Sequence, residues 1–419
     1  MKEIPNTCIE FETGKQPEAQ EQAGVTFKYI SRYFSTDKRA EAPRNQESYF
    51  SNKLRYRRDP NGRLDKLRTV TIIGVSGAMG SEILKRMLTE EVLPACEKIQ
   101  LFRRPETASQ GKDKNFYYAL IEKLKDGMGG VLPHVELIDS YSRVDGELLI
   151  MCAGKTISKD ASRASDRTTL RHENKAIFEN CARSIKENPF QPPELVIVVS
   201  NPNELSTSIF SKYFKRVVAI GPVLDSLRFQ REIRDELSLS AEISIDGLVG
   251  GNHELRGMVL YKSLLRIDGE RPPAQVLGKV YPPVNEYLDS GKVYERAYEM
   301  LQRGDEGVFK YINSHPIAIR VAVKPLIEYY CGGKADFPLG VAATSTIKAF
   351  QDNTCTIVTL TKRTRIGESE VCIGVPLFIS KNGVEEIELD SIDNFREYKD
   401  DEQLLEAVKI FRTEYSSDS

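Results

Sequence analysis

Residues 69–80 read TVTIIGVSGAMG, and this stretch decides the fold. The segment TVTIIGV is a short run rich in β-branched residues, which is typical of a buried strand in a parallel sheet. Three glycines follow at Gly74, Gly77 and Gly80, and the segment SEILKRML after them has the spacing of a helix. The stretch therefore predicts a strand, a glycine-rich turn and a helix in direct succession.

The glycine turn predicts a binding site for a dinucleotide. Gly74 suits the tight turn, Gly77 lets the main chain approach a pyrophosphate, and Gly80 lets the helix pack close to the strand. The start of the helix offers unpaired N–H groups and the positive end of its dipole to the phosphates. The spacing GxxGxxG is a weak indication by itself, and the strand–turn–helix context strengthens it. The predicted contacts on the turn are Gly74, Ser76, Gly77, Ala78, Met79 and Gly80.

The segments after the turn alternate between the two kinds of pattern. The strand-like runs are KIQLF, VELI, ELLIMCAG and LVIVVSNP, and the helix-like runs are FYYALIEKLKDGM and NKAIFENCARSIKE. This alternation predicts an α/β fold with a Rossmann-type doubly wound parallel sheet. From about Gly221 onward the pattern is mixed, which predicts an α+β catalytic domain. We therefore expect a partly ordered N-terminal extension at 1–67, a dinucleotide-binding domain at 68–222 and a substrate domain at 223–419.

The composition limits the class of partner and compartment. The 419 residues carry a formal net charge of -2, and so balanced a charge argues against a nucleic-acid partner. The 7 cysteines are scattered without CxxC spacing, so we expect neither a metal site nor a disulfide framework. They indicate a reducing compartment, either the cytoplasm or the interior of an organelle. No stretch approaches the ~18 apolar residues of a membrane span, and the acidic N-terminus argues against secretion.

The residues that follow the strand KIQLF indicate which dinucleotide is bound. An acidic residue about 20 positions after the glycine turn usually holds the ribose hydroxyls of NAD. Here the strand KIQLF is followed by Arg103 and Arg104. Arginine at this point suits the additional phosphate of NADP, so NADP is favoured over NAD. Two other interpretations of these arginines stay open. They are solvent-exposed charges at a strand end, or they belong to a chain that has lost the ability to bind a cofactor.

Several segments occur in the chain order of one known family. They are the glycine turn, the pattern Arg167-(x)6-Asn174, the strand end Val199-Ser200-Asn201-Pro202, the helix start Leu224-Asp225-Ser226-Leu227-Arg228, and Gly250-Gly251-Asn252-His253-Glu254. Together with the hairpin-like ending GVPLFISKNGVEEI, they resemble the lactate and malate dehydrogenase family over about residues 69–412. The segment IEKLKDGMGGVLPHV is more similar to the malate branch than to the lactate branch.

The resemblance implies hydride transfer between NAD(P)H and a small 2-oxo or 2-hydroxy acid, with oxaloacetate and malate as the first choice. It implies that His253 is the acid–base group, that Asp225 fixes the tautomer of the imidazole, and that Arg228 grips the substrate carboxylate. It further implies that Arg167 polarises the substrate carbonyl from a mobile loop and that Asn201 donates to the substrate oxygen. The other implied cofactor contacts are Ala153, Gly154, Asn174, Val199, Ser200 and Asn201.

Some residues depart from the family pattern. Asn252 and Glu254 flank the histidine where the family usually has Glu or Gly before it and Gly after it. The effect is either a raised histidine pKa or a blocked site. The loop 153–167 lacks the usual Arg-Lys-Pro-Gly, and Ala161 stands where malate dehydrogenases have an arginine for the second carboxylate. Arg163 or Lys159 would replace that arginine if the loop takes another path, so the identity of the 2-oxo acid stays open.

A second function of a different class stays open beside the enzyme. The missing acidic ribose ligand and the altered surroundings of the histidine also fit a catalytically weak dehydrogenase-like protein that serves as a binding or scaffold module. Residues 1–67 would then be its interaction arm for a partner. Because members of the family usually pair through helices of the nucleotide domain, we expect a homodimer.

Overall fold

The computed structural model describes residues 55–57, 59, 64, 67–103, 114–155, 167–253, 257–281, 290–331, 335–351 and 356–415. Within these residues, one large sheet and one two-stranded sheet account for the strands. The large sheet consists of β1 (Tyr56–Arg57), β2 (Thr69–Ile73), β3 (Lys98–Phe102), β4 (His134–Ile138), β5 (Leu148–Met151), β6 (Leu195–Val198), β7 (Val217–Ala219), β9 (Val249–Gly251), β10 (Met258–Leu260), β12 (Thr356–Ile366), β13 (Ser369–Ser380) and β14 (Gly383–Ile387). The small sheet pairs β8 (Ile245–Asp246) with β11 (Arg266–Ile267).

Helices connect the parallel strands and fill the second half of the chain. They are α1 (Ala78–Thr89), α2 (Lys114–Gly127), α3 (Arg167–Lys186), α4 (Asn203–Phe210), α5 (Gly221–Glu236), α6 (Ala274–Val280), α7 (Ser290–Gln302), α8 (Val308–Asn313), α9 (Ile317–Tyr330), α10 (Asp336–Gln351) and α11 (Asp400–Tyr415). In the part of the chain that the structure describes, no helix has both the length and the apolar character needed to cross a membrane.

Strands β2 to β7 form the parallel half of the large sheet. Their spatial order is β4-β3-β2-β5-β6-β7, and every neighbouring pair among them is parallel. The direction of the order reverses between β2 and β5, which gives the strand order of a Rossmann sheet. The predicted α/β fold class is therefore confirmed. Ligands of such sheets bind beyond the carboxyl ends of the strands at this reversal point.

The central strands form the core because they are apolar along their whole length. The sequences LLIM of β5 and LVIV of β6 are buried at every position. Strand β4 lies at the edge of the sheet, and its sequence HVELI is only partly buried. Since burying one Leu or Ile side chain contributes about 1.5–3 kcal/mol, the central strands fix the positions of their own ends firmly. The candidate site lies at those ends.

The second half of the chain extends the same sheet with antiparallel strands. Strand β12 pairs with β7 through Thr361 and Ala219, and β13 pairs with β12 along its length. Strands β13 and β14 form the hairpin that the C-terminal sequence predicts. Strand β9 pairs with β13 where Gly251 meets Gly374, and a Cβ on Gly250 would lie 2.5 Å from the Gly374 oxygen. This close approach fixes the turn that carries His253. The domain boundary at residue 222 stays a prediction.

Part of the predicted N-terminal extension pairs with the edge of this sheet. Strand β1 lies antiparallel to β14, with Tyr56 opposite Ile387. Beyond it, the carboxylate of Asp59 accepts a hydrogen bond from Nε of Arg216 at 2.6 Å, and both side chains are at most 4% exposed. Asp59 also accepts the main-chain N–H of Val384 at 3.1 Å. Residues 1–54 lie outside the described residues, so a role for them as an interaction arm stays a prediction.

The substitution Asp59→Asn tests how much this ion pair stabilises the fold. It replaces the buried carboxylate that faces the guanidinium of Arg216 by a neutral amide, and breaking a buried ion pair costs about 3–5 kcal/mol. We expect a fall of that size in the free energy of unfolding, measured by urea denaturation. The matched control is Asp390→Asn, because the pair between Asp390 and Arg396 is at least 71% exposed. A change for Asp59→Asn as small as that of the control would contradict this prediction.

Candidate active site

The glycine turn has the conformation that its sequence predicts. Gly74 has a φ of +95°, a left-handed conformation that glycine adopts without strain. The N–H of Gly77 donates to the Gly74 oxygen at 3.0 Å, and helix α1 begins directly afterwards at Ala78. The N-cap of α1 is Gly77, which makes no capping side-chain hydrogen bond. The N–H groups of the first turn are therefore available to an anionic ligand.

Two of the glycines allow main chains to approach closely. A Cβ on Gly80 would lie 2.5 Å from the Gly74 oxygen, and a Cβ on Gly74 would lie 2.6 Å from the Ala153 nitrogen. Helix α1 and the ends of β2 and β5 therefore meet at the reversal point of the sheet. For Gly77, which is exposed, the nearest atom to such a Cβ would be the Gly74 oxygen at 3.3 Å. Gly77 is thus accessible to solvent, and its predicted contact with a pyrophosphate stays a prediction.

The other residues of the turn differ in their exposure. Ala78 is exposed, and Ser76 and Met79 are half-buried. The side chain of Met79 packs against the hydrophobic core. A ligand in the crevice would therefore meet Met79 through its main chain, and this contact stays a prediction.

Hydrogen bonds join the ends of β5 and β6. The hydroxyl of Ser200 donates to the Ala153 oxygen at 2.7 Å, and the N–H of Val199 donates to the Met151 oxygen at 2.9 Å. Val199 and Ser200 are both buried, whereas Ala153 and Gly154 are partly exposed. Of these predicted cofactor contacts, Ala153 and Gly154 therefore offer the accessible surface. Val199 and Ser200 hold the strand ends together.

The side chain of Asn174 forms hydrogen bonds to the main chain beyond the ends of β5 and β6. Its Nδ2 donates to the Asn201 oxygen at 2.8 Å and to the Lys155 oxygen at 3.1 Å. Its Oδ1 accepts the N–H of Lys155 at 2.7 Å, and the residue has no exposed surface. Since the amide is already used on both sides, Asn174 acts by positioning the strand ends rather than by presenting its side chain to a cofactor.

Asn203 orients the amide of Asn201. The Nδ2 of Asn203 donates to the Oδ1 of Asn201 at 2.6 Å, and its own Oδ1 accepts the N–H of Gly221 at 2.8 Å. The bond between Asn201 and Pro202 is cis, and Asn201 is exposed. Because the oxygen of its amide is held, Asn201 presents its NH2 group as a donor, as its predicted role requires. Asn203 also links the end of β6 to the start of α5.

The structure brings His253, Asp225 and Arg228 together. The Nδ1 of His253 donates to Oδ2 of Asp225 at 2.5 Å, although the two residues are 28 positions apart. The Nη1 of Arg228 donates to the other oxygen of Asp225 at 3.0 Å, one helical turn further along α5. The side chain of Asp225 is 4% exposed, while those of His253 and Arg228 are 16% and 17% exposed. The carboxylate is therefore internal, and its two partners reach the surface of the cleft.

This arrangement shifts the protonation of both partners. Burial by itself would lower the pKa of His253, but the charge and hydrogen bond of Asp225, with the charge of Glu204, raise it above the usual value. Burial by itself would raise the pKa of Asp225, but the nearby charges and hydrogen bonds of His253 and Arg228 lower it. The pair therefore favours an imidazolium beside a carboxylate. Such a group can deliver a proton from its other ring nitrogen.

Two neighbours of the imidazole are not evident from the sequence alone. A Cβ on Gly221 would lie 2.8 Å from Cγ of His253, so the absence of a side chain there makes room for the ring. Glu204, which is buried, accepts the main-chain N–H of His253 at 2.6 Å. The only indication of Glu204 in the sequence is its place in the first turn of a helix after a predicted strand end.

Of Arg103, Arg104, Arg163 and Arg167, only Arg103 has a side chain that the structure describes. The guanidinium of Arg103 lies 3.4 Å from the carboxylate of Asp139, and its side chain is 5% exposed. Arg104 and Arg163 lie outside the described residues. Arg167 is the first residue of α3, and the structure describes its backbone only. The roles of Arg163 and Arg167 therefore stay predictions.

Asn252 does not block the site. It is 2% exposed, and its Nδ2 donates to the Ala407 oxygen in α11 at 3.1 Å. The N–H of Asn252 donates to the Gly257 oxygen at 2.8 Å, which closes the turn that follows β9. The side chain thus binds the C-terminal helix. Glu254, the other departure from the family pattern, lies outside the described residues.

The fold and these contacts define a Rossmann-type α/β protein in which His253, Asp225 and Arg228 form a hydrogen-bonded cluster. No protein-family model matches the chain. A malate dehydrogenase from Pelagibacter ubique is 24% identical over 351 residues, which cover 82% of this chain and 95% of the relative. An L-lactate dehydrogenase from Geobacillus thermodenitrificans is 25% identical over 261 residues, or 61% of this chain and 72% of the relative.

Solved structures show the same fold. The lactate dehydrogenase of Cryptosporidium parvum, crystallised with lactic acid and β-nicotinamide adenine dinucleotide, aligns with a TM-score of 0.59 at 22% identity. The alignment covers 84% of this chain and 97% of that protein. In its sequence the chain is similar to curated malate and lactate dehydrogenases, and in its fold it is similar to solved structures of the same enzymes.

Substitutions at Gly80 and Gly77 distinguish a packing glycine from a ligand-facing glycine. In Gly80→Ala the new methyl group would overlap main-chain atoms, and such overpacking costs about 1–3 kcal/mol. In Gly77→Ala the methyl group would enter the crevice, and the cost is at most that of a poorer N-cap, about 1 kcal/mol. We expect urea denaturation to show a larger loss of stability for Gly80→Ala. Equal losses would show that the helix and strand do not pack closely here.

Proposed function

We propose that this chain is a nicotinamide-dependent 2-hydroxyacid dehydrogenase. It would interconvert a small 2-oxo acid and the corresponding 2-hydroxy acid. The observation that carries the proposal is the contact of His253 with Asp225, and of Asp225 with Arg228, beside the glycine turn of a Rossmann sheet. Curated relatives named malate and lactate dehydrogenases support the reaction class.

His253 would act as the acid and base of the reaction. In reduction, its Nε2–H donates a proton to the carbonyl oxygen of the 2-oxo acid as that oxygen becomes an alkoxide. Asp225 stabilises the imidazolium before transfer and keeps the proton on Nδ1 afterwards, so that Nε2 is the nitrogen that exchanges the proton. In oxidation the neutral ring accepts the hydroxyl proton at the same nitrogen. The raised pKa of His253 therefore favours the protonated form that reduction requires.

Arg228 would bind the carboxylate of the substrate. One of its N–H groups is held by Asp225, which fixes the guanidinium on α5, and a guanidinium has five donors in a planar fork. A fork of this kind binds a carboxylate through two parallel hydrogen bonds. Asn201 would donate to the oxygen of the reacting carbon. Arg167 would polarise the same oxygen when its loop closes.

The residues of the crevice fit a dinucleotide. Gly77, which is the exposed N-cap of α1, and the accessible strand end at Ala153 and Gly154 would form a cradle for a pyrophosphate. The bound nicotinamide would accept or supply the hydride. The chain contributes the position of the dinucleotide and, through the amide of Asn201, the position of the ring beside His253.

We propose NAD rather than NADP as the cofactor, which reverses the preference indicated by the sequence. That preference rests on Arg103 and Arg104. The guanidinium of Arg103 is buried against Asp139, so it supports recognition of a 2′-phosphate less than its position in the sequence suggests. The relative from Cryptosporidium parvum was crystallised with the dinucleotide that lacks this phosphate.

Oxaloacetate and malate are the substrates that we place first, with another 2-oxo acid as the alternative. The malate dehydrogenase of Pelagibacter ubique and the lactate dehydrogenase of Geobacillus thermodenitrificans have similar identities to this chain, so the comparisons leave this order as a proposal. The second carboxylate of oxaloacetate would need a cation from the loop, and Arg163 is the candidate. A homodimer and a reducing compartment likewise stay predictions.

Turnover with purified protein tests the proposed function. Oxidation of NADH or NADPH by oxaloacetate, pyruvate and other 2-oxo acids is followed by absorbance, and we expect NADH to give the higher kcat/KM. His253→Ala removes the proton donor and should lower kcat by about 10²–10⁴-fold. Arg228→Ala should raise KM for the 2-oxo acid and lower kcat/KM. The matched control is Arg396→Ala, because Arg396 is 77% exposed and should leave turnover unchanged.

The opposite result favours the second function. If the wild-type chain binds neither dinucleotide and turns over no 2-oxo acid, the proposal is wrong, and a binding or scaffold role takes its place. If turnover survives unchanged in His253→Ala, the chain is a dehydrogenase but the assigned acid–base group is wrong.

A further inference from the structure

A second buried carboxylate lies against the turn that carries the imidazole. Glu204 is in the first turn of α4 and is 1% exposed. Its Oε1 accepts the main-chain N–H of His253 at 2.6 Å, across 49 residues of sequence. His253 is therefore held at two points, by Asp225 at the side chain and by Glu204 at the main chain. The two carboxylates come from different helices.

A buried carboxylate close to an imidazole is an electrostatic influence as well as a hydrogen-bond acceptor. The negative charge of Glu204 adds to that of Asp225 in raising the pKa of His253, and the positive charge of Arg228 opposes it. In an interior of low dielectric, such charges act over several ångströms with little screening. Glu204 and Asp225 thus favour the protonated ring, and Arg228 disfavours it.

Among the described residues, Cys372 is a further titratable group close to Glu204. Cys372 lies in β13, close enough to Glu204 for its charge to matter, and burial raises the pKa of this thiol to about 12. The thiol is therefore neutral at physiological pH. Asp225 and Arg228 are the charged groups of α5 that face the ring, and Glu204 is the one of α4. Glu254 follows the histidine in sequence and lies outside the described residues.

We propose that Glu204 is a positioning residue for the dehydrogenase reaction: it anchors the main chain of His253 and, as a second carboxylate, extends 2-oxo acid reduction to higher pH. The proposal rests on the proposed function for its catalytic consequence. The hydrogen bond from the main chain of His253 to Glu204 positions the imidazole ring. The negative charge of Glu204 favours the protonated form of that ring. Asp225 is the larger of the two influences on the proton, and Glu204 adds to it while the charge of Arg228 opposes both.

The sign of the effect follows from the direction of proton transfer. Reduction needs the imidazolium, so its rate falls as pH rises through the pKa of His253. Removing the charge of Glu204 lowers that pKa, because one of the groups that favour the protonated form is lost. The alkaline limb of kcat/KM for reduction therefore moves to lower pH. The opposite reaction, oxidation of the 2-hydroxy acid, gains activity at the acidic end.

The test is the titration of His253 in the variant Glu204→Gln. Glutamine keeps an oxygen that can accept the N–H of His253 but carries no charge. The chain has 4 histidines, so the ring resonance of His253 is assigned in selectively labelled protein by its loss in His253→Gln. We expect the pKa of His253 to fall by about one unit in Glu204→Gln. The matched control is Glu194→Gln, an exposed glutamate that precedes β6.

A second variant separates the anchor from the charge. Glu204→Asp keeps the charge but is too short to reach the N–H, so the pKa of His253 should stay high while kcat for reduction falls. This variant decides the matter if Glu204→Gln does not fold. The proposal is overturned if the pKa of His253 is the same in wild type and Glu204→Gln, or if Glu204→Asp lowers that pKa without lowering kcat.

The titration is independent of the proposed function. If the wild type shows no turnover, the dehydrogenase assignment fails, and the nuclear magnetic resonance titration still decides whether Glu204 holds the proton on His253. If turnover is present and only the shift is missing, Glu204 is a structural acceptor and nothing more.

Discussion

The buried contact between the carboxylate of Asp225 and the imidazole of His253 is the constraint on which the rest of the cleft depends. Moving a carboxylate out of water costs several kcal/mol unless partners satisfy it. Here His253 and Arg228 each occupy one of its oxygens. The ring can approach only because Gly221 has no side chain, and Gly221 is in turn fixed by Asn203. The catalytic geometry therefore originates in the junction of β6, β7 and α5.

The same junction links the proposed proton-transfer site to the strand ends where we propose that the dinucleotide binds. Asn174 ties the ends of β5 and β6, and Asn203 ties the end of β6 to α5. Between them, Asn201 is held at its main-chain oxygen and at its side-chain oxygen. These amides thus form a continuous set of hydrogen bonds from the end of β5 to the start of α5. A rigid arrangement of this kind suits the alignment of a cofactor ring with an acid–base group that we propose.

Much of this arrangement is evident in the sequence because it is encoded locally. The strand TVTIIGV, the conformation of Gly74 and the helix after Gly80 each depend on neighbours within a few residues. The triad of His253, Asp225 and Arg228 is found through the order of its motifs. Contacts that depend on strand register are not predictable in this way. Arg103 lies beside Asp139 only because β3 and β4 are paired in parallel, and this contact underlies the proposal of NAD as the cofactor. The contact between Glu204 and His253 likewise depends on tertiary packing, because it joins helix α4 to the turn after β9.

The departures from the family pattern have structural partners of their own. Asn252 replaces a residue beside the histidine and binds the C-terminal helix α11. The end of that helix is held by Arg171 of α3, whose guanidinium donates to Glu414 at 2.7 Å. Helix α3 begins at Arg167, where the loop predicted to close over the substrate ends. The C-terminal helix thus connects the histidine turn with the helix that follows this loop.

A crystal structure of the chain with NADH and oxamate, an isostere of a 2-oxo acid, tests the central claim most directly. The account predicts that the carboxylate of oxamate binds the guanidinium of Arg228 through two hydrogen bonds. Its carbonyl oxygen should lie about 3 Å from Nε2 of His253, with Nδ1 still bonded to Asp225. Oxamate bound elsewhere, or a ring of His253 turned away from both Asp225 and the ligand, would contradict the account.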